Sequence, residues 1–133
     1  QGSIFLYFRK YEIMELQSSL SEETLAETVR MMGVLSDPAR IRIVNLIQHG
    51  NEICNCQIGP VTGYLASKIS RHLTLLKQAG LLRERRDGTF IYYQMKAPDG
   101  PVHTALLELI SRICDSDPLL SEDREKLDSD NNC

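Results

Sequence analysis

A helix with two opposite faces most constrains how this chain can fold. Over residues 66–79, Ile69, Leu73 and Leu76 fall on one stripe, since each residue of a helix turns by about 100°. The opposite side of this segment carries polar and basic side chains. We therefore expect one face of the helix to pack in a core and the other to meet a partner.

A β-hairpin is predicted directly after this helix. Two β-prone runs, 81–86 and 90–95, are joined by Asp87-Gly88, which is a strong signal for a tight hairpin turn. The sequence places Arg85 and Arg86 at the tip of this hairpin. A basic hairpin tip is suited to contact a polyanion.

Helical patterns also lie on both sides of these two elements. We expect helices from Ser19 or Ser21 to Leu35, over 38–50 and over 101–113, and a short, poorly stabilised helix within 51–63. Asp37 is a good N-cap residue. This order predicts a winged helix-turn-helix: a mostly α-helical fold with a β-hairpin wing, in which the polar-faced helix fits the major groove of DNA.

The ends of the chain differ in composition from its middle. We place one domain over 19–115 and an N-terminal extension over 1–18, whose first three residues, Gln-Gly-Ser, look like a cloning scar. Residues 116–133 are rich in Asp, Glu, Ser and Asn and predict a frayed helix or a loose acidic tail. No run of about 18 apolar residues is present, so we expect a cytoplasmic protein with reduced cysteines and no membrane contact.

The charge of the chain is unevenly distributed. Its net charge is −3, yet residues 66–96 hold seven basic and two acidic side chains, a local charge of +5. Because a partner feels the local field, this segment favours double-stranded DNA. The candidate DNA contacts are Ser67, Lys68, Ser70, Arg71, His72, Thr74, Lys77, Arg85 and Arg86.

These candidates differ in the contact that their chemistry allows. Arg71 can bind guanine through two hydrogen bonds or clamp a phosphate, the hydroxyls can make short contacts, and the other basic residues supply sequence-independent attraction. His72 lies near the border between the two helix faces and fits a core edge and a DNA contact equally. An enzyme is not expected, because the chain lacks a phosphate-binding glycine loop, HExxH and GxSxG.

Four stretches of the sequence resemble one family. LSDPARIRIVNLI, EICNCQI, SKISRHLTLLKQAGLL and RRDGTFIYY, between residues 35 and 93, are similar to the ArsR/SmtB metalloregulatory repressors. The resemblance implies a homodimer joined through its first and last helices, which binds operator DNA and releases it when a toxic metal or metalloid binds. An apolar stripe on the last helix of so small a domain independently calls for a partner surface.

The resemblance also directs attention to the cysteines. Arsenic-responsive members carry Cys-x-Cys and a further Cys three residues on, whereas here Cys54 and Cys56 are followed by Gly59. Trivalent arsenic prefers three thiolates, so arsenite needs a third from Cys114, Cys133 or the other subunit. A singly methylated arsenical needs two. We expect either species as the inducer, ahead of zinc or cadmium.

The spacing of the two cysteines predicts a switch. Residues two apart on a regular helix point about 200° from each other and cannot hold one atom together. If Asn55 is the N-cap, Cys54 lies outside the helix and Cys56 at its first position, where the helix dipole favours a thiolate. Binding would then distort this first turn and shift the following DNA-contacting helix.

Other interpretations of the cysteines remain open. Both can be ordinary buried residues, they can sense thiol oxidation or bind cadmium, zinc or lead, or the regulator can need no ligand. A second family site, which binds zinc through Asp-x-His, His and Glu, corresponds here to Pro101, His103, Cys114 and Asp117. It lacks its first ligand, and we expect it to be partly lost.

Overall fold

The computed structural model describes residues 22–129 of the 133-residue chain. This part folds into six α-helices, three strands and one 3-10 turn. They are α1 (Glu22–Leu35), α2 (Pro38–Gly50), β1 (Ile53–Cys54), the 3-10 turn (Asn55–Gln57), α3 (Ile58–Thr62), α4 (Ala66–Gln78), β2 (Leu82–Asp87), β3 (Phe90–Met95), α5 (Pro101–Ser116) and α6 (Pro118–Ser129). From α1 to α5 this is the predicted order of helices and hairpin, and the winged helix-turn-helix prediction is confirmed.

The signals at the start of α2 and the end of α4 act as predicted. Asp37 Oδ1 accepts hydrogen bonds from the backbone N–H groups of Ala39 (2.8 Å) and Arg40 (3.2 Å), which no helical carbonyl can satisfy. Gly80 follows α4 with a φ of 82°, a backbone conformation that other residues rarely adopt. The start of α2 and the end of α4 are therefore well defined.

The core forms between α2, α4 and the start of the wing. Ile43, Leu46, Leu76 and Leu81 have no measurable exposure, and Leu73 is 1% exposed. The polar-faced helix α4 thus buries its apolar stripe against α2, as the sequence predicted, and its other side is free of the core.

The wing is a three-stranded antiparallel sheet in the order β1-β3-β2. Strand β1 pairs with β3 in the register Ile53–Tyr93 and Cys54–Tyr92, and β2 pairs with β3 along its whole length. The sequence did not predict β1, because two residues are too few to show a strand pattern. This strand connects the first cysteine directly to the wing.

Helix α6 differs from the frayed helix or loose tail predicted for residues 116–133. Its Leu120 and Leu127 are buried in the main core, and its Asp123 is fully buried. Fully buried Asn45 of α2 donates to Leu120 O (3.0 Å) and accepts from Arg124 Nε (2.7 Å). Hydrogen bonds of buried polar side chains help to hold α6 in place. Its low apolar content therefore did not indicate a packed helix.

Several predictions concern residues outside the described part. The N-terminal extension, the choice between Ser19 and Ser21 as a helix start, and any role of Cys133 all fall there. The division into an extension, a domain over 19–115 and a tail stays a prediction. Between residues 22 and 129, no helix has the length and apolar character needed to cross a membrane.

Candidate nucleic-acid interface and paired cysteines

Helix α4 presents a continuous polar surface. Its buried side chains Ile69, Leu73 and Leu76 point into the core, whereas the side chains opposite to them are exposed. The exposed candidates on this surface are Ser67, Ser70, Arg71, Thr74 and Lys77. This surface has the size and chemistry that a major groove accepts.

Lys68, at the start of α4, is held by a contact with an aromatic ring. Its Nζ lies 4.0 Å from the centre of the Tyr64 ring, a cation–π contact. Arg42 Nη1 donates to Tyr64 Oη at 3.2 Å, and both oxygens of buried Asp123 accept from Arg42 (2.8 and 2.9 Å). A chain of contacts therefore leads from α6 through α2 to the first turn of α4.

His72 lies on the core side of α4. It is 4% exposed, and its Nδ1 is 3.3 Å from Arg40 Nη1. Burial lowers the pKa of His72 below its ordinary value of 6.5. Of the two roles that the sequence left open, the structure favours the core edge over the DNA contact.

The two arginines of the wing, Arg85 and Arg86, precede the turn and differ in whether they form an ion pair. The turn is formed by Gly88 and Thr89, because β2 continues to Asp87, so Arg85 and Arg86 are not at the tip as predicted. Arg85 binds Glu52 (2.6 Å) and lies 4.5 Å above the Tyr92 ring, whereas Arg86 is exposed.

Lys77, the last basic candidate on α4, is also engaged. It forms an ion pair with Glu84 of β2 at 2.7 Å. Half of its side chain stays exposed, so a phosphate can compete with Glu84 for it. Within residues 22–129, Arg71 and Arg86 have neither the ion pair that holds Lys77 and Arg85 nor the ring contact that holds Lys68.

Cys54 and Cys56 meet at the junction of β1 and the 3-10 turn. Their Sγ atoms are 2.9 Å apart, and Cys54 is 2% exposed while Cys56 is half-buried. The cap of the turn is Cys54, not Asn55 as predicted, and the Cys54 N–H donates to Gln57 Oε1 at 2.8 Å. A tight 3-10 turn brings the two side chains together, where a regular α-helix would separate them.

Cys114 lies elsewhere in the molecule. It is fully buried on α5, burial raises the pKa of its thiol, and its hydrogen-bonding neighbour is Arg124 of α6. Within residues 22–129, no three His, Cys, Asp or Glu side chains are grouped so that they could hold a metal ion. The structure therefore does not bring Cys114 to the cysteine pair as a third ligand.

The second predicted metal site is not assembled within one chain. His103 and Cys114 are eleven residues apart on α5, roughly 16 Å along a helix axis. His103 Nδ1 accepts from the Asp99 N–H (3.3 Å), and its buried Nε2 has no hydrogen-bond partner in the described part. Burial also lowers the pKa of His103.

A pocket of about 350 Å³ opens beside the cysteine pair. Cys56 and Gly59 line one side, Ile69 and Ser70 of α4 another, and Tyr93 of β3 a third. The sequence could not reveal this pocket, because its walls come from four separate elements: the 3-10 turn, α3, α4 and β3. The sequence also did not indicate Glu52, Tyr64 and Asp123, because these residues act through contacts with residues that are distant in the chain.

The fold and the exposed face of α4 define a winged helix-turn-helix protein. Residues 37–84 match a family model described as bacterial regulatory protein, arsR family. The uncharacterized HTH-type transcriptional regulator MJ1325 of Methanocaldococcus jannaschii is 34% identical over 71 residues, which are 53% of this chain and 76% of that protein. The chain therefore belongs to the arsR family of bacterial regulatory proteins.

Two curated relatives are named for resistance. The arsenical resistance operon repressor of Escherichia coli is 34% identical over 67 residues, 50% of this chain. The cadmium resistance regulatory protein CadC of Listeria innocua is 35% identical over 63 residues, 47% of this chain. The matches span 57% and 53% of these relatives, just over half of their length.

A solved structure supports the fold. The homodimeric winged helix-turn-helix DNA-binding domain of Mb0332 from Mycobacterium bovis, described as a possible ArsR-family regulator, aligns with a TM-score of 0.57 and 26% identity. The alignment covers 75% of this chain and 92% of that domain.

Proposed function

We propose that this protein is a homodimeric transcriptional repressor that leaves its operator DNA when trivalent arsenic binds Cys54 and Cys56. The observation that carries the proposal is the pair of sulfur atoms 2.9 Å apart, at the point where the wing and the helix-turn-helix meet. The relatives named for arsenical and cadmium resistance support a thiophilic ligand.

DNA binding is supported by the exposed face of α4 and the basic wing. Arg71 offers base or phosphate contacts, the hydroxyls of Ser67, Ser70 and Thr74 offer short ones, and Arg86 and Lys77 are placed to attract phosphates. The hydroxyl of Thr74 also donates to Ser70 O, so its oxygen stays available as an acceptor.

Dimer formation is supported by apolar side chains that face solvent on α1 and α5. Exposure reaches 71% for Leu25, 61% for Val29, 54% for Met32, 53% for Leu109 and 43% for Ile113. Such a concentration of exposed apolar residues marks an interaction surface. A second copy of the chain covers it in the proposed dimer, as the resemblance implied.

The cysteine pair supplies two soft ligands for arsenic. Cys54 is a free thiol, and because Cys56 is disulfide-bonded in this structure, binding requires prior reduction of Cys56. Two thiolates satisfy a methylated arsenical, and arsenite keeps one hydroxyl unless a further ligand comes from outside the described part. We accordingly place methylarsenite and arsenite ahead of cadmium and zinc, which take four ligands.

Two connections can carry a change at the cysteines to the DNA-binding surface. Cys54 pairs with Tyr92 of β3, and neighbouring Glu52 holds Arg85, so any movement of β1 displaces the wing. On the other side, α3 leads through Gly63 to Tyr64, whose ring holds Lys68. An arsenic atom held by the two sulfur atoms therefore lies at a position that is linked both to the wing and to the start of α4.

A fluorescence anisotropy titration tests the proposal. Labelled DNA from upstream of the protein's own gene is bound by reduced, anaerobic protein, and arsenite, methylarsenite, cadmium and zinc are added separately. We expect binding that weakens steeply with salt and selective release by an arsenical. Binding that no ion disturbs would overturn the sensor function and leave the DNA-binding function standing.

Thiol oxidation is the second candidate signal. The short distance between Cys54 and Cys56 and the disulfide of Cys56 favour it as an alternative. Release on oxidation that a thiol reductant alone reverses, with no response to arsenicals, would establish this second candidate.

A further inference from the structure

We infer that Leu65, at the start of α4, contacts the C5-methyl group of a thymine in the major groove and so helps to select the operator. This inference rests on the proposed DNA-binding function. It assigns a role to an exposed apolar side chain that belongs neither to the core nor to α1 and α5.

Leu65 is an unfavourable residue for the protein without a ligand. It is 75% exposed, more than Leu25 (71%) or Val29 (61%) on the proposed dimer surface. It also occupies the N-cap position of α4, and its side chain makes no capping hydrogen bond. A Ser, Thr, Asp or Asn there would bond a free backbone N–H group. Leucine at this position forgoes both burial and capping, and it becomes favourable when a ligand covers it.

The position of Leu65 indicates that this ligand is DNA. In a helix-turn-helix, the first residues of the recognition helix contact base edges in the major groove. Leu65 directly precedes the exposed face of α4, which begins near Ser67 and continues through Ser70 and Arg71. Lys68 and Arg71 make these surroundings basic, so the surface around Leu65 attracts a polyanion.

Thymine supplies the chemical group that matches a leucine side chain. Base edges in the major groove carry hydrogen-bond donors and acceptors, and the C5-methyl group of thymine is the apolar group among them. The isobutyl group of Leu65 can form no hydrogen bond with the other edges. It therefore favours thymine over cytosine, which lacks this methyl group.

The backbone on both sides of Leu65 is held in place. On one side, the Tyr64 ring contacts two cations, with Arg42 Cζ at 5.0 Å and Lys68 Nζ at 4.0 Å from its centre. On the other side, Leu65 O accepts a hydrogen bond from the Ile69 N–H (3.0 Å). Because this segment is ordered before DNA binds, little conformational entropy is lost when Leu65 meets a base.

Deoxyuridine tests the contact, because its base differs from thymine only in lacking the C5-methyl group. Labelled duplexes from upstream of the protein's own gene, with one thymidine at a time replaced by deoxyuridine, are titrated with reduced protein and followed by fluorescence anisotropy. We expect replacement at one position of a half-site to weaken binding about fourfold, the factor for one methyl group leaving water. Wild-type binding that tolerates deoxyuridine at every position would overturn the inference.

Substitutions of Leu65 assign the effect to this side chain. Leu65→Ala should bind the unmodified operator about fourfold more weakly and lose the deoxyuridine effect at that position. Leu65→Ser, which can cap α4, should behave in the same way, and this result would separate the contact from helix stability.

Leu75→Ala is the matched control. Leu75 is 39% exposed on the same helix and lies about 15 Å further along its axis. This variant should keep the full deoxyuridine effect. An effect of wild-type size in Leu65→Ala would contradict the inference.

The outcomes also separate this inference from the proposed function. If Leu65 contacts a thymine methyl group but no arsenical releases the DNA, the inference stands and the sensor function fails. If arsenicals release DNA and deoxyuridine has no effect, the sensor function stands and the inference is wrong. Absence of salt-sensitive binding to any DNA would overturn both.

Discussion

At the residue scale, the buried ion pair of Arg42 and Asp123 holds helix α6 against α2. The composition of this segment had predicted only a frayed helix or a loose tail. Asp123 is fully buried, and the Arg42 side chain is 14% exposed. The hydrogen bonds from Arg42 to Asp123 raise the pKa of the arginine further above its ordinary value. Such a pair holds α6 on α2 only while both members are present.

Removing one member of this pair should be costly. We predict that Asp123→Asn lowers the free energy of unfolding by about 3 kcal/mol, because it leaves the Arg42 charge buried without a counter-charge. Urea unfolding measures this loss. The matched control Glu122→Gln, which breaks an exposed pair with Lys126, should change stability by less than about 1 kcal/mol. Equal effects of the two substitutions would contradict the role of Asp123.

Buried histidines make stability depend on pH. Burial lowers the pKa of His72 below 6.5, so the unfolded chain takes up the proton first as pH falls. Stability contributed by neutral His72 is therefore present above about pH 6.5 and lost below it. We predict that His72→Gln makes the loss of stability between pH 7 and 5.5 shallower, by up to about 1.4 kcal/mol per pH unit.

The control for this prediction is His49→Gln on exposed His49, which binds Asp128 at 2.9 Å. Unfolding at a series of pH values is the measurement. A His72→Gln protein whose stability follows pH as steeply as the wild type would show that His72 is not the group responsible.

At the element scale, α4 and the wing should contribute to DNA binding in different ways. We predict that Arg71→Ala weakens specific binding by about 1–3 kcal/mol, whereas Arg86→Ala weakens all sequences alike and reduces the salt slope by about 1. Arg85→Ala should have a smaller effect than Arg86→Ala, because Arg85 is already neutralised by Glu52. Titrations on specific and random DNA at several salt concentrations measure all three.

A remote basic residue provides the control. Lys126→Ala on α6 removes a positive charge that is paired with Glu122 and lies outside α4 and the wing. It should leave both the affinity and the salt slope nearly unchanged. A larger loss from Arg85→Ala than from Arg86→Ala would show that the ion pair with Glu52 does not keep Arg85 from the DNA.

At the scale of the whole molecule, the exposed apolar residues of α1 and α5 predict a dimer that DNA binding requires. We predict that Leu109→Glu yields a folded monomer with at least about a hundredfold weaker operator binding, since a buried carboxylate is incompatible with an apolar interface. Sedimentation gives the mass of the protein. Phe90→Ser on the wing, which also removes an exposed apolar side chain, should stay dimeric. A dimeric Leu109→Glu protein would place the interface elsewhere.

The sequence predicted those parts of the molecule whose signals are local. The cap at Asp37, the stripe of α4 and the hairpin turn each depend on neighbouring residues. The cap and the stripe appear where they were expected, and the turn lies one residue later, at Gly88 and Thr89 instead of Asp87-Gly88. Helix α6 and strand β1 depend on contacts with distant residues, and their own composition did not indicate them. The spacing of Cys54 and Cys56 identified them as a candidate pair. The short distance between their sulfur atoms follows from a 3-10 turn, which the sequence pattern did not predict.

We propose that arsenic bound by Cys54 and Cys56 releases DNA. The most direct measurement adds methylarsenite to the preformed complex of operator DNA with three reduced proteins: wild type, Cys54→Ser and Cys114→Ser. We predict release from wild type and from Cys114→Ser, which loses a thiol remote from the pair, and none from Cys54→Ser. Full release from Cys54→Ser, or loss of release in Cys114→Ser alone, would contradict the proposed role of Cys54 and Cys56 as the arsenic ligands.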